Sequence, residues 1–128
     1  MAPVAIVTAL MLIEYFVFSA LVGRARVTQD ISAPATSGDP IFERYFRVHM
    51  NTLEMLVIVI PAMWLFAWYI SVSIAAGLGL MFVIGRYLYL RGYVADPAKR
   101  SPGFIVSAAA EAVLLLGALF GAAMTYFV

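Results

Sequence analysis

Residues 42–54, FERYFRVHMNTLE, decide how the rest of the chain can fold. This stretch is rich in charged and amide side chains, and a strongly apolar run, residues 55–69, follows it directly. At about 100° per residue, four of its polar side chains fall within roughly 80° of one helix face. This polar stripe consists of Arg44, Arg47, Asn51 and Glu54. Because ionisable groups are costly inside a bilayer, we expect the polar stripe to face a bundle interior, a partner or a cavity.

The composition indicates an integral membrane protein. The 128 residues are 65% hydrophobic and 12% charged, with a mean hydropathy of +1.00, whereas a soluble domain of this size needs a charged surface. A membrane-spanning helix needs about 20 mostly apolar residues, so the length suits four spans and short loops in one domain, residues 1–128. A net charge of +1 gives no indication of a nucleic-acid partner. The absence of cysteine excludes a disulfide framework and a protein thiol nucleophile.

Four apolar segments predict an all-α bundle of four transmembrane helices. The first has no basic n-region, so we expect it to be a retained helix and not a signal peptide. Ser71 and Ser73 alone interrupt the apolar run between the second and third segments, which predicts a tight turn there. Pro61 predicts a kink or a missing backbone hydrogen bond, and Ser101 suits a helix N-cap, with Pro102 in the first turn. The predicted spans are about 4–22, 41–69 and 101–128, with the third running from the turn at Ser71 and Ser73 to about residue 93.

Two polar loops, residues 28–40 and 92–103, connect the first span to the second and the third to the fourth. All the basic residues belong to these connections or to the adjacent helix ends. They are Arg24, Arg26, Arg44, Arg47, Arg86, Arg91, Lys99 and Arg100. The positive-inside rule therefore predicts that both loops are cytoplasmic and that both termini lie on the outer side of the membrane.

The polar stripe has two interpretations. A structural ion-pair network, such as Glu43 with Arg47 at i, i+4, would explain its first charges. Asn51 and Glu54 lie deeper and would need partners of their own, which favours a site for an anionic or zwitterionic ligand. His49 is the only histidine and has no second donor at a metal-ligand spacing, so we expect no metal site.

Polar residues in the other spans leave more alternatives open. Arg86, Tyr89 and Tyr93 share a helix face and suit either a ligand carboxylate or a membrane interface. Glu14 and Glu111 are isolated carboxyl groups in apolar helices. Each can pair with Arg86, form a hydrogen bond as a protonated acid or face an oligomer axis; a proton-linked transporter is a further alternative.

Residues 42–54, together with RYLYLRGY at 86–93, resemble the MAPEG superfamily, the membrane-associated proteins in eicosanoid and glutathione metabolism. The resemblance covers essentially the whole chain and is strongest to bacterial microsomal-type glutathione transferases. It implies a homotrimer of four-helix subunits in the bacterial inner membrane, in contact with lipids. Glutathione would be the co-substrate, bound between neighbouring subunits near the cytosolic surface.

The resemblance also implies residue roles. Arg100 corresponds to the arginine that acts on the glutathione sulfur, and Arg26 would come from the adjoining subunit. The residues implied in glutathione binding are Arg26, Arg47, His49, Asn51, Glu54, Arg86, Tyr89 and Tyr93. Met55 and Val27 depart from the pattern of the leukotriene-forming relatives, where a tyrosine and a second arginine stand, and both departures weaken an eicosanoid-synthase interpretation.

The function that the resemblance implies is a transferase or peroxidase that activates glutathione as thiolate. Its second substrate would be a lipophilic electrophile or a lipid hydroperoxide that enters from the bilayer. A non-catalytic lipid-binding scaffold, known from one branch of the superfamily, is the principal alternative. The small proton-linked transporter based on Glu14 and Glu111 is the third hypothesis.

Overall fold

The computed structural model of residues 1–128 contains four long helices and a short 3-10 helix at Pro97–Lys99. All four long helices are long and apolar enough to cross a membrane, which confirms the predicted all-α bundle of four spans. The helices are α1 (Ala2–Gln29), α2 (Pro40–Tyr69), α3 (Val72–Ala95) and α4 (Ser101–Phe127).

The connection between α2 and α3 is the tight turn that the sequence predicts. The backbone N–H groups of Ile70 and Ser71 both donate to the carbonyl of Phe66, at 2.8 and 3.2 Å, and close the end of α2. The Ser71 hydroxyl then accepts a hydrogen bond from the Ile74 N–H and caps α3. The connection between α2 and α3 can therefore be short, because the Ser71 side chain satisfies a backbone donor that the turn leaves free.

The helix ends at the polar side differ from the sequence prediction. α1 continues past Val22 to Gln29, so its charged last turns extend the helix into the predicted loop. Cations are favourable near a helix C-terminus, which is consistent with Arg26 in the last turn. Ser101 is not the N-cap of α4: Arg100 holds that position without a side-chain cap bond. Pro102 does lie in the first turn, as predicted.

Two features of α2 position its polar stripe. The Asp39 carboxylate caps the helix by accepting from the N–H groups of Ile41 and Phe42, at 2.9 and 3.0 Å. Pro61 lies inside the helix, yet α2 is one continuous element from Pro40 to Tyr69. The polar stripe therefore belongs to one continuous helix, and the residues of α2 that follow the stripe pack in the apolar core.

All four helices contribute to one main core. Its wholly buried side chains come from each helix in turn: Val4 and Met11, Val59 and Met63, Phe82, and Leu114. At the polar end α3 and α4 approach much more closely than side chains would permit. A Cβ atom on Gly85 would stand 2.6 Å from the backbone nitrogen of Ser107, and one on Gly103 would overlap the backbone of Tyr89. The two glycines thus fix where α4 begins relative to α3.

The close crossing predicts that Gly103→Ala destabilises the protein. The added methyl group meets rigid backbone, and overpacking of this kind costs about 1–3 kcal/mol. We expect the thermal midpoint of the detergent-solubilised protein to fall by about 5 °C or more. Gly77→Ala is the matched control, because nothing lies within 4 Å of a Cβ atom at Gly77. Equal midpoints for the two variants would contradict the crossing.

Candidate functional site

A polar cleft of about 640 Å³ lies where α2, α3 and α4 meet near the α3–α4 connection. We call it the polar cleft. Its lining combines two guanidinium groups, an amide and two phenols with an apolar edge from α4. The lining residues are Arg47, Asn51, Tyr89, Tyr93, Arg100, Ser101, Phe104 and Ile105.

The α2 wall of the polar cleft carries Arg47 and Asn51, which are one helical turn apart. The Arg47 guanidinium lies 3.8 Å from a carboxylate oxygen of Glu54, in the chain's only salt bridge. Both side chains are more than half exposed, at 56% and 58%, so the pair adds little stability and remains available to a ligand. The alternative pair of Glu43 with Arg47 is not formed.

The α3 wall is aromatic. The rings of Tyr89 and Tyr93 lie 5.5 Å apart, and the Phe104 ring of α4 is 6.2 Å from Tyr89. Tyr89 is only 4% exposed, whereas Tyr93 is partly exposed. Neither phenol hydroxyl takes part in a side-chain hydrogen bond within the chain, so both can donate to a ligand.

Arg100 closes the polar cleft from the α3–α4 connection. Its guanidinium donates to the carbonyl of Pro97 at 2.8 Å, which ties the side chain to the short 3-10 helix. One N–H donor of the side chain is therefore used within the chain, and the other donors of this exposed guanidinium have no partner in the chain. A cation thus lines the polar cleft together with the two tyrosines.

Arg86 does not line the polar cleft but lies directly behind Asn51. Its side chain is wholly buried, and its Nη1 donates to the Asn51 Oδ1 at 2.6 Å and to the Thr52 hydroxyl at 3.4 Å. The guanidinium also stacks 4.2 Å from the centre of the Tyr89 ring. Since the Asn51 oxygen is occupied, its Nδ2 is the group left free to donate to a ligand.

The polar stripe is divided between two tasks. Arg44 is turned away from the cleft and donates to the Val94 carbonyl at 3.0 Å, near the C-terminal end of α3. Carbonyl groups in the last turn of a helix have no intrahelical partner, and Arg44 of α2 binds one of these carbonyl groups in α3. The contact therefore joins the two helices. Only Arg47 and Asn51 of the stripe line the polar cleft, with Glu54 beside Arg47.

Arg26 and His49 are not part of the same chain's polar cleft. Arg26 donates to the Ala35 carbonyl at 2.7 Å and lies 4.7 Å over the Phe42 ring. His49 stacks on Tyr15 of α1 with ring centroids 4.6 Å apart. Both of its ring nitrogens are buried and have no partner within the chain. The helical period explains this placement, because His49 lies almost opposite Arg47 and Asn51 on α2.

Sequence reasoning missed the α4 edge of the polar cleft. Ser101, Phe104 and Ile105 lie at i, i+3 and i+4 and so share one face of the first turns of α4. Two of them are apolar residues of an apolar helix and carry no polar signal. The chain holds no group of three or more His, Cys, Asp or Glu side chains close enough to bind a metal ion.

Fold and site together define a four-helix integral membrane protein with a cationic, phenol-lined cleft at one end of its bundle. Comparison with known families is consistent with this class. The MAPEG family model matches residues 4–120, and the chain belongs to the MAPEG family.

The relatives include microsomal glutathione S-transferases and leukotriene C4 synthases. The chain is 42% identical to microsomal glutathione S-transferase 2 of Homo sapiens over 80% of its own length and 70% of that protein. It is 33% identical to leukotriene C4 synthase of Rattus norvegicus, over 94% of its own length and 80% of the relative. An uncharacterised protein of Synechocystis is 44% identical, over 90% of this chain and 84% of that one.

Proposed function

We propose that this chain is a membrane glutathione transferase that binds glutathione in the polar cleft and activates its thiol. The observation that carries the proposal is the convergence of Arg47, Asn51, Tyr93 and Arg100, from two helices and a loop, on one cleft. Similarity to microsomal glutathione S-transferase 2 supports glutathione as the ligand.

The chemistry of the polar cleft suits a small peptide with several charges. Glutathione has two carboxylates, an ammonium group, two amides and a thiol. Arg47 can bind a carboxylate bidentately, while Glu54 beside it suits the ammonium group. The free Asn51 Nδ2 and the Tyr93 hydroxyl are donors for a carboxylate or a carbonyl oxygen. A volume of about 640 Å³ lies within the usual range of ligand sites.

Arg100 is the residue that we assign to the thiol. A free thiol has a pKa of about 8.5, so only a small fraction is thiolate at neutral pH. A guanidinium a few ångströms away stabilises the thiolate and thereby lowers the thiol pKa. The thiolate then attacks an electrophilic carbon, a C–S bond forms and the leaving group departs with the bonding electron pair.

The apolar edge of the polar cleft suits a lipophilic second substrate. Phe104 and Ile105 are exposed on the first turns of α4, next to the cationic end of the cleft. A lipid hydroperoxide would react in the same place: the thiolate takes the terminal OH group and the O–O bond breaks, with its electron pair going to the lipid oxygen. The lipid alkoxide then takes a proton from water and leaves as the alcohol. The resulting sulfenic acid is reduced by a second glutathione, which gives the disulfide and water.

We also propose that the chain, as a single domain of residues 1–128, works as a homotrimer. Arg26 lies on the α1–α2 side, outside the polar cleft of its own chain, so a role for it in glutathione binding requires the cleft of a neighbouring subunit. The exposed Arg47–Glu54 pair leaves the cleft open to such a neighbour. The basic residues gather at the same end, which supports a cytosolic cleft and outer termini, in a bacterial inner membrane.

Glutathione binding to the detergent-solubilised protein tests the site. We expect Arg47→Gln and Asn51→Ala each to weaken binding about tenfold or more, since hydrogen bonds to charged groups contribute about 1.5–3 kcal/mol. Isothermal titration calorimetry measures the dissociation constant directly. Arg44→Gln removes the same charge from the same helix but outside the cleft, and should bind within about twofold of wild type. Equal losses in all three variants would reject the polar cleft as the site.

The thiol environment is tested by the ultraviolet absorbance of the thiolate when glutathione is added. We expect a thiolate signal at neutral pH and a midpoint below the free value of about 8.5, because the cation favours the charged form. Arg100→Met should move the midpoint upwards and remove the signal at pH 7. Lys99→Met deletes the adjacent exposed charge and should leave the signal unchanged. A lipid-binding scaffold gives no thiolate signal in any variant.

A further inference from the structure

A second concave region lies between α1, α2 and α3 at the basic end of the bundle. It consists of two adjoining cavities of about 230 and 250 Å³, which share Leu21 and Tyr45 in their linings. Arg24 lines the first cavity and Arg91 lines the second. We call the space between these four residues the basic groove. It shares no residue with the polar cleft and is therefore a separate feature of the surface.

The two cations of the basic groove have no anionic partner within the chain. Arg24 and Arg91 are exposed, and the chain's only salt bridge lies beside the polar cleft. The acidic residues nearest to them in the sequence, Asp30 and Asp96, line neither cavity. The Asp96 carboxylate instead accepts a hydrogen bond from the Ala98 N–H at 3.1 Å. The basic groove therefore presents two positive charges that an anionic ligand can neutralise.

The polar groups of the basic groove suit a phosphate. The Arg24 guanidinium and the Tyr45 hydroxyl form no hydrogen bond within the chain, and Arg91 uses one donor, on the Tyr87 hydroxyl at 3.2 Å. Guanidinium groups bind phosphate oxygens bidentately, and a phenol adds a further donor. Tyrosine is also a typical residue of the membrane–water interface, where its ring is in apolar surroundings and its hydroxyl is hydrated.

Exposed apolar side chains continue the face of each arginine into the membrane-spanning part of its helix. On α1, Val17 stands at i−7 from Arg24 and is 47% exposed. On α3, Ile84 stands at i−7 from Arg91 and is 57% exposed. The same two faces continue with Ile13 and Leu80. Residues at this spacing share one side of a helix, so a ligand of the basic groove can combine an anionic head with apolar chains.

The basic groove lies away from the face that the proposed trimer would use. Arg24 and Arg26 are separated by about 200° around α1, so they point to opposite sides of the helix. Arg26, the residue that the proposed trimer assigns to a neighbouring subunit, lies over the Phe42 ring and not in either cavity. In such a trimer the basic groove would face the surrounding lipid.

We propose that the basic groove binds one anionic phospholipid. The phosphate lies between Arg24 and Arg91 and accepts from the Tyr45 hydroxyl, and the acyl chains cover the exposed apolar faces of α1 and α3. Basic pockets between membrane helices are a known form of site for anionic lipid headgroups. A choline phospholipid is disfavoured, because its quaternary ammonium would meet the same two cations. The site does not depend on glutathione binding.

Thermal unfolding in a neutral detergent tests the ligand class. We expect saturating dioleoylphosphatidylglycerol to raise the thermal midpoint by about 5 °C or more, because a ligand that binds only the folded state stabilises it. Dioleoylphosphatidylcholine at the same mole fraction should leave the midpoint nearly unchanged, and so should inorganic phosphate, which has no acyl chains to bury. No shift with phosphatidylglycerol, or an equal shift with either control ligand, would overturn the proposal.

Charge variants test the position of the site. Arg24→Gln and Arg91→Gln should each reduce the phosphatidylglycerol shift by at least half, and the double variant should abolish it. Both side chains are exposed, so the lipid-free midpoints should equal that of wild type. Lys99→Gln removes an exposed charge at the same end but outside the basic groove, and should retain the full shift. An equal loss in Lys99→Gln would indicate general surface electrostatics and reject the groove.

Native mass spectrometry gives an independent measure of the same binding. Wild type should retain one phosphatidylglycerol molecule per chain after release from the detergent micelle, and the Arg24→Gln, Arg91→Gln double variant should retain none. Retention of the lipid by the double variant at the wild-type level would overturn the assignment of the phosphate to these two arginines.

Discussion

The hydrogen bond from Arg86 to Asn51 is the interaction on which the site depends. It joins α3 to α2 inside the bundle, where a guanidinium has no water to replace a missing partner. It therefore fixes the orientation of the amide that lines the polar cleft. A steric constraint completes the arrangement: the glycine crossings of α3 and α4 bring the start of α4, with Arg100, against the same cleft. The Arg86–Asn51 hydrogen bond and the close approach of α3 and α4 thus position the helices that line the polar cleft.

Much of the fold could be predicted from the sequence, because apolar run length and punctuation decide where helices cross a bilayer. The turn at Ser71 follows from a single polar interruption and appears where expected. The ends of the helices were harder to place. α1 runs beyond Val22, since hydropathy reports the limit of the hydrocarbon and not the limit of the helix. Ser101 has the right chemistry for a cap, but the short 3-10 helix before it makes Arg100 the cap position.

The site could be predicted in part. The residues whose positions differ from the prediction do so for one shared reason. Helical periodicity shows which side chains share a face, but not which neighbour that face meets. Arg44 and Arg47 belong to one stripe, yet one binds the Val94 carbonyl and the other lines the polar cleft. The spacing of Arg86 and Tyr93 likewise gives a common face, while their depths differ: Arg86 is wholly buried and Tyr93 is not. Phe104 has no polar signal at all, since it resembles every other apolar residue of α4.

The two isolated carboxyl groups illustrate what only the packed structure can supply. Glu14 and Glu111 are far apart in the sequence, and neither belongs to a motif that would connect them. α1, which carries Glu14, and α4, which carries Glu111, both pack against α3, the helix that carries Arg86. The buried Arg86 guanidinium is weak evidence for stability, because an apolar residue of equal volume often serves as well. Its value in this bundle lies in orientation: an apolar residue in place of Arg86 would fill the space but would not hold the Asn51 oxygen away from the polar cleft.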